Sequence, residues 1–345
     1  MDLLKRLCDT PGVAGFEEPI QAIVAEELGK TTDEVKIDRL GNVIGFKRGG
    51  QSAVASNRLK LMISAHIDEI GFMVRFIDKD GFLRFAPIGG YDPRTLIAQR
   101  VIVHGRKALK GVIAPQANWL LTEEEKQKTL PIKDLFIDVG LTREEVVKLV
   151  KVGDVISLAA EFEELNEKVI LGRNFDDRLG VYVMLEAMRR LRGCQVDVFA
   201  VGSVQEELGV RGATTAAFAI EPDLGIALDG SLSSDLPSAR EDEKCCLLGG
   251  GTGIYVMDRL TVSSKRMVNF LIHLAEKYGV KYQINIGGGT DASAMQRSRS
   301  GVYACTIGPP TRYMHSVTQL CHKEDLENTI ELLRLFIENA HELSG

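Results

Sequence analysis

The chain has 345 residues, of which 45% are hydrophobic and 26% are charged, a balance typical of a folded globular protein rather than a disordered one. Its formal net charge of −6, without a basic run, argues against a partner that is nucleic acid, since such proteins neutralise phosphates with clustered Lys and Arg. No apolar stretch approaches the length of a membrane span and the first residues lack a signal-peptide pattern, so we expect a cytoplasmic protein with no membrane partner.

The first seventy residues predict two helices followed by three strands. An amphipathic helix is expected around Leu3, and apolar residues at helical spacing predict a second helix within 20–28. Two short β-like runs, VKID and NVIGF, come next. A longer apolar run over 59–65 then predicts a buried strand that delivers His66 and Asp68 at its end.

Between residues 71 and 163 the pattern changes to short β-like runs separated by glycine, proline and polar turns. Short strands at regular spacing are typical of a small β-barrel or sandwich. We therefore interpret 71–163 as an inserted β-rich domain and assign 1–70 and 164–345 to one larger domain. A polar segment over 118–134 predicts an exposed loop within the insertion. The β-like runs are FMVRFI, GFLRFA, RVIVHG, KGVIAP, LFIDVG and DVISLA.

After residue 164 strands alternate with helices. This alternation predicts an α/β fold with a mostly parallel or mixed sheet that is sandwiched by helices. The helices are predicted in RLGVYVMLEAMRRL, SKRMVNFLIHLAEKYG and DLENTIELLRLFIENA, and the strands in QVDVFAVGSV, DLGIALDG, YQINIGGG and VYACTIGPP.

Histidines and carboxylates occur where the predicted strands end. Open α/β sheets bind their ligands at the carboxyl ends of the strands, so side chains distant in sequence can meet in one crevice there. Two imidazoles and several carboxylates, without a thiolate, form a nitrogen and oxygen environment that suits Zn²⁺, Co²⁺ or Mn²⁺. The sequence therefore predicts a two-metal site. The residues at these positions are His66, Asp68, Asp176, Asp177, Glu206, Glu207, Asp229 and His315.

Glu206 and Glu207 are adjacent and follow an apolar strand in VFAVGSVQEELGVRGA. Neighbouring carboxylates beside a buried strand make each other harder to ionise unless a positive charge lies close by. If Glu207 binds a metal ion, Glu206 remains free to act as the general base that takes a proton from the attacking water. The pair thus favours metal-assisted hydrolysis.

Eight motifs along the chain carry a resemblance to a known family. The sequence resembles the tetrahedral aminopeptidases, which include glutamyl, leucyl and lysyl aminopeptidases within the dinuclear zinc-exopeptidase clan and some members labelled endoglucanases. The likeness covers essentially the whole chain, and the order and spacing of the motifs make it specific. The motifs are TPGVAGFE, AHIDEIGFMV, IGGYDP, NFDDRLG, VQEELGVRGA, ALDGS, GGGTDA and PPTRYMHS.

The resemblance implies a metal-dependent aminopeptidase that releases N-terminal residues from short peptides. It implies two divalent ions per subunit, most often Zn²⁺ or Co²⁺ with Mn²⁺ as a further option. One ion would be held by His66 and Asp229 and the other by Glu207 and His315. Asp176 would bridge the two ions.

The resemblance also implies roles outside the ligand set. Glu206 would be the general base, and Asp68 would hydrogen-bond the imidazole of His66 and fix its tautomer. The β-rich insertion would be a PDZ-like dimerisation domain, and dimers would assemble into a tetrahedral dodecamer.

Several alternatives remain open. Asp177 rivals Asp176 as the bridging ligand; we prefer Asp176 and expect a cis peptide bond between the two. Segment 287–291 is expected to bring backbone close to the rim of the site rather than to bind a nucleotide. Arg312 is a candidate for recognising an acidic substrate side chain, but glutamyl, leucyl and lysyl preferences all stay possible. A deacylase or carboxypeptidase of the same clan, or a non-catalytic assembly protein, is the alternative function.

Overall fold

The computed structural model describes residues 1–50, 58–117, 119, 122–126, 130–237 and 239–344. In this part of the chain a large mixed sheet, a smaller sheet and a closed barrel are present. The helices are α1 (Asp2–Asp9), α2 (Glu18–Leu28), α3 (Glu123–Lys126), α4 (Arg143–Leu149), α5 (Phe175–Arg190), α6 (Arg211–Ile220), α7 (Lys265–Tyr278), α8 (Ala292–Gln296) and α9 (Lys323–Asn339).

The strands alternate with these helices along the chain. They are β1 (Glu34–Ile37), β2 (Val43–Lys47), β3 (Lys60–His66), β4 (Gly71–Ile77), β5 (Leu83–Ile88), β6 (Arg100–His104), β7 (Ala108–Ala114), β8 (Phe136–Asp138), β9 (Val155–Leu158), β10 (Glu163–Glu164), β11 (Val169–Gly172), β12 (Asp197–Ser203), β13 (Leu224–Leu228), β14 (Ser231–Leu232), β15 (Thr252–Met257), β16 (Tyr282–Ile286), β17 (Tyr303–Gly308), β18 (Pro310–Arg312) and β19 (Gln319–His322).

The large sheet has the strand order β1-β2-β12-β3-β13-β17-β15-β16. Its four central strands, β12, β3, β13 and β17, run parallel, whereas β2 and β15 pair antiparallel to them. Strand β3 is apolar on both faces: Leu61 and Ile63 pack into the cluster that contains α5 and α9, and Met62 packs into the cluster with α6 and α8. These helices cover both faces, so the predicted α/β sandwich is confirmed.

The six β-like runs of the insertion form a closed antiparallel barrel in the order β4-β5-β8-β7-β6-β9. Alternate residues such as Phe72, Val74, Phe85 and Ile156 fill it and make an apolar cluster separate from that of the large sheet. Of the predicted barrel and sandwich, the barrel is therefore confirmed. Strand β4 begins at Gly71 and β9 ends at Leu158, while the division into domains at 71 and 163 stays a prediction.

The second sheet was not predicted. It has the order β10-β11-β19-β18-β14, and its strands contain only two to four residues each, too few to show alternation in the sequence. Strands β14 and β18 follow directly after β13 and β17, at the carboxyl edge of the large sheet. The chain therefore passes from the large sheet into this small sheet at the edge where the candidate site lies.

Two further expectations concern length and loops. None of the helices in the described residues combines the length and the apolar character needed to cross a membrane. The loop predicted over 118–134 lies partly outside the described residues, and the rest includes α3 and a turn of 3₁₀ helix over Ile132–Asp134.

Candidate metal centre

The carboxyl edge of the parallel strands brings the predicted ligands together. His66 is the last residue of β3, and Asp229 directly follows β13. Glu207 lies in the loop after β12, and His315 lies in the loop after β18. Asp176 reaches the same place from the start of α5, where its backbone angles are not helical.

Two groups of three ligands share one residue. The ligand atoms of His66, Asp176 and Asp229 lie within 4.8 Å of one another, and so do those of Asp176, Glu207 and His315. Nε2 of His66 lies 3.0 Å from Oδ1 of Asp176, and Nε2 of His315 lies 3.3 Å from Oδ2 of the same carboxylate. Each oxygen of Asp176 therefore faces a different group, which is the arrangement of a bridging ligand.

Nδ1 of His66 faces Asp68. Nδ1 lies 3.1 Å from the backbone carbonyl oxygen of Asp68 and 3.6 Å from its carboxylate. The carbonyl is the closer acceptor, and a proton on Nδ1 that bonds to it would leave Nε2 free for a metal. The hydrogen bond expected from the Asp68 side chain stays a prediction.

The Asp68 carboxylate holds the loop that carries the two glutamates. Its Oδ1 accepts the backbone N–H of Glu206 at 2.9 Å, and its Oδ2 accepts that of Glu207 at 3.1 Å. Asp68 is completely buried, and these two charge-assisted hydrogen bonds replace the hydrogen bonds to water that its carboxylate loses on burial. The Asp68 carboxylate thus holds the backbone of both glutamates.

Burial and mutual repulsion dominate the electrostatics of the site. Burial raises the pKa of Glu207 to about 7, with a further contribution from Asp176. Burial also raises the pKa of Glu206 and of Asp229 well above the ordinary carboxyl range. The close Asp176 carboxylate raises the pKa of His315 to about 9. Two imidazoles do not balance this many carboxylates, so the donor set fits divalent cations, which supply the missing positive charge.

Asp177 belongs to neither ligand group. Its Oδ1 accepts the N–H of Gly180 at 3.0 Å, and its buried Oδ2 has no hydrogen-bond partner among the described residues. Burial, with a contribution from Asp176, raises the pKa of Asp177 well above its usual range. The peptide bond between Asp176 and Asp177 is cis, as predicted. The geometry thus favours Asp176 over Asp177 as the bridge.

Sequence reasoning missed two side chains beneath the site. Asp291, expected only as part of a backbone rim, is buried and accepts hydrogen bonds from Ser64 at 2.7 Å and Ser203 at 2.5 Å. Gln319 is also buried, and its side-chain oxygen accepts the backbone N–H of Asp176 at 2.9 Å. The GGGTDA motif gave a signal for Asp291, whereas nothing local marks Gln319.

Arg312, the candidate for binding an acidic substrate, is already paired. Its Nε donates to Asp235 Oδ1 at 2.7 Å, and a terminal nitrogen donates to the other oxygen of the same carboxylate. Asp235 also accepts the hydroxyl of Ser233 at 2.8 Å. A bidentate pair of this kind leaves little free positive charge for a substrate side chain.

The comparison with protein families decides the kind of enzyme. A family model described as M42 glutamyl aminopeptidase matches residues 41–332. The chain belongs to this M42 family. M42 peptidases are metal-dependent, and the chain is accordingly an aminopeptidase, an enzyme that hydrolyses peptides, with candidate metal-binding groups in place. The resemblance inferred from the motifs is confirmed.

Relatives of this M42 aminopeptidase differ in the side chain they are named for. A lysyl aminopeptidase from Pyrococcus furiosus is 37% identical over 98% of this chain and 96% of the relative. A glutamyl aminopeptidase from Lactococcus lactis is 30% identical over 99% of this chain and 96% of the relative. Family membership alone therefore does not set the side-chain preference.

Solved structures of M42-like proteins share the whole fold. An aminopeptidase from Desulfurococcus kamchatkensis has a TM-score of 0.93 at 39% identity, covering 98% of this chain and 94% of its own. A TET1 peptidase from Pyrococcus horikoshii, described as assembling into a tetrahedron or a large octahedral shell, has a TM-score of 0.85 at 31% identity, covering 97% and 98%. A protein from Thermotoga maritima described as an endoglucanase has a TM-score of 0.80 at 30% identity, covering 98% and 97%.

Proposed function

We propose that this aminopeptidase is dinuclear and removes N-terminal residues from short peptides with Glu206 as its general base. The observation that carries the proposal is the position of Asp176, which belongs to both ligand groups at once. A carboxylate with one oxygen in each group matches two ions that lie about 3.5–4 Å apart.

The ligand roles follow from the two groups. His66 and Asp229 would hold one ion, Glu207 and His315 would hold the other, and Asp176 would touch both. Zn²⁺ or Co²⁺ suits this imidazole and carboxylate set, and Mn²⁺ is a further option. When bound, the ions would polarise the scissile carbonyl and lower the pKa of the attacking water.

Glu206 supplies the proton transfers. It is not a member of either ligand group, and it directly precedes the ligand Glu207. Burial raises its pKa, which brings the carboxyl closer to the range in which a group can both accept and return a proton near neutral pH. Glu206 takes the proton of the water as it attacks the carbonyl carbon, and then protonates the amine nitrogen that leaves.

Selectivity for the end of a peptide requires recognition of a free α-ammonium group. Carboxylates of the crevice that do not hold a metal ion would bind this cation, whereas an acylated N-terminus carries no positive charge for them to bind. A deacylase of the same clan would instead act on the acylated amine, and a carboxypeptidase would recognise the carboxyl end of its substrate. A free α-amine is therefore the substrate feature that separates these functions.

Hydrolysis of paired substrates tests the proposal. Chelated protein is restored with Zn²⁺, Co²⁺ or Mn²⁺ and given aminoacyl-p-nitroanilides that carry either a free or an N-acetylated α-amine. We expect metal-dependent cleavage of the free-amine substrates alone, with two ions bound per chain at full activity. Release of acetate from the acetylated series, with the anilide bond left intact, would favour a deacylase, and no cleavage with any metal would favour a non-catalytic assembly protein.

We further propose that residues 71–163 form a PDZ-like dimerisation domain and that dimers assemble into a tetrahedral particle. Support comes from the barrel, which has its own apolar core, and from the TET1 peptidase of Pyrococcus horikoshii. Light scattering after size-exclusion chromatography should give a dodecamer, and deletion of 71–163 should give monomers. A monomeric full-length chain would contradict both proposals.

A further inference from the structure

A loop of the barrel borders the second ligand group. This loop follows β5 and contains Gly89 and Gly90. A β-carbon built on Gly89 would lie 3.2 Å from Oε2 of Glu207, and one built on Gly90 would lie 3.3 Å from Nδ1 of His315. The barrel backbone therefore lies so close to both residues proposed to hold the second ion that a side chain at either position would crowd them, although neither glycine belongs to the ligand set.

We propose that the barrel helps to position the residues of the metal centre. Its loop over 89–90 holds His315 and Glu207 in place. A buried ion pair of Glu69 and Arg173, here called the clamp, holds the barrel in the position that this requires. The inference rests on the proposed dinuclear function. It assigns Gly90, Glu69 and Arg173 as positioning residues, because none of them is in either ligand group.

His315 depends on outside contacts for its position. Its side chain is 44% exposed, and its backbone has a φ of +57°, in the left-handed region that non-glycine residues seldom adopt. Its Nε2 faces Asp176 and Glu207, at 3.3 and 3.5 Å, while its Nδ1 edge faces Gly90. Metal-binding histidines need their second edge fixed if the first is to point at the ion. Here packing against barrel backbone provides that support.

The close approach requires glycine in the loop. Gly89 has a φ of +80°, and a β-carbon there would lie only 2.4 Å from Cγ2 of Ile70. Tyr91, which follows Gly90, stacks on Phe72 of the barrel core with ring centroids 4.6 Å apart. The loop is thus fixed to the barrel on one side and packs close to the proposed ligands on the other. The position of the barrel therefore determines the position of His315.

The clamp contacts both chain segments that join the barrel to the rest of the chain. Glu69 lies just before β4, and its carboxylate accepts from Nε of Arg173 at 3.0 Å and from Nη2 at 3.1 Å. Nη1 of Arg173 donates at 3.2 Å to the carbonyl of Ala160, which lies just after β9. One buried guanidinium therefore ties the entry and the exit of the barrel together.

The same clamp is joined to the segment that leads to the bridging ligand. Asn174 donates to the Glu69 carboxylate at 3.1 Å, and Asn174 and Arg173 directly precede the turn that carries Asp176. The N–H of Gly12 also donates to Glu69, at 2.9 Å. A shift of the barrel would therefore disturb both the loop that packs against His315 and the chain segment that leads to Asp176. The clamp acts on ion binding through these contacts.

Metal titration of loop variants tests the proposal without relying on activity. Isothermal titration with Zn²⁺ and the visible spectrum of Co²⁺ are measured for the wild type, Gly90→Ala and Gly90→Val. We expect two ions in the wild type, and a weaker site whose affinity falls by about 10–100-fold in Gly90→Ala and further in Gly90→Val, while the tighter site changes little. Gly193→Ala is the control, since a β-carbon there would have no atom of the described part of the chain within 4 Å.

Clamp variants test the second half of the proposal. Glu69→Gln and Arg173→Lys should each weaken the same site as Gly90→Ala, whereas Glu221→Gln, which breaks an exposed pair with Arg299, should leave both sites unchanged. If Gly90→Val unfolds, the Ala variant and Arg173→Lys still decide. Two ions in the wild type with unaltered binding in Gly90→Ala and Arg173→Lys would overturn this inference alone. A wild type that binds fewer than two ions would overturn the dinuclear function itself.

Discussion

The carboxylate of Asp68 accepts the backbone N–H of Glu206 at 2.9 Å, although 138 residues separate the two in sequence. Gln205, which precedes Glu206, has a φ of +54°, so the loop turns sharply just where this hydrogen bond anchors it. Strand β3 thus supplies the ligand His66 and, two residues later, the group that orients the proposed general base. The ends of β3 and β12 are joined through a buried anion.

Replacing Asp68 by Asn should slow turnover without emptying the metal site. An amide offers one acceptor oxygen where the carboxylate offers two, so either Glu206 or Glu207 loses its backbone anchor and meets an N–H₂ donor instead. We expect kcat to fall by about 10–100-fold. Steady-state kinetics with metal analysis checks this, and unchanged kcat would show that the anchor is dispensable.

Replacing Glu206 by Gln should separate binding from chemistry. The amide keeps the shape of the side chain but accepts no proton at neutral pH, so kcat should fall by about 10²–10⁴-fold while two ions remain bound. Glu206→Asp serves as the matched variant, because it keeps a carboxylate base on a side chain that is one methylene shorter. Its activity should lie between those of the wild type and Glu206→Gln. Near-normal turnover of Glu206→Gln would mean that another group takes the proton.

Asp176 and Asp177 form a natural pair of variants. Asp176→Asn removes an oxygen ligand that both ions would share, so the affinity for each should drop by more than the roughly 10–100-fold that follows loss of a ligand's hydrogen-bond partner. Asp177→Asn should keep both ions, because Asp177 belongs to neither ligand group and an amide oxygen can still accept the N–H of Gly180. Equilibrium dialysis compares the two. Loss of metal in Asp177→Asn alone would reverse the assignment.

Long elements were predictable because their patterns repeat. Strand β3 and the strands β12, β13 and β17 appear as apolar runs, and residues that follow these strands meet at one edge by the geometry of parallel sheets. The ligands could therefore be placed together before their distances were known. The family resemblance then implied the pairs His66 with Asp229 and Glu207 with His315, and the same pairs occur in the two groups of candidate ligands.

Contacts that depend on tertiary structure could not be predicted from the sequence. The approach of Gly90 to His315 joins the barrel to a loop more than 200 residues away, and no local pattern encodes it. Helix α6 was missed because the residues that it buries at helical spacing are mostly alanines, whose small side chains give a weak apolar signal. Spacing relative to His66 likewise does not show where the Asp68 carboxylate points.

The stability of the metal-free protein should fall as pH rises from about 5 to about 9. Glu207 has a pKa raised from 4.5 to about 7, and His315 has one raised from 6.5 to about 9, so the folded state holds both protons more tightly than the unfolded state does. The contribution of His315 is complete below pH 6.5 and is lost as pH rises through about 9. Metal should reverse this trend, because ions bind the deprotonated ligands.

Melting curves of chelated and Zn²⁺-loaded protein between pH 5 and pH 9 check this expectation. The melting temperature of the chelated protein should decline across that range, and the increase caused by Zn²⁺ should grow with pH. His315→Gln is the control: the difference in stability between it and the chelated wild type should be largest below pH 6.5 and should shrink towards pH 9. A metal-free protein that becomes more stable as pH rises would show that the crowded carboxylates do not govern the unfolding of this fold.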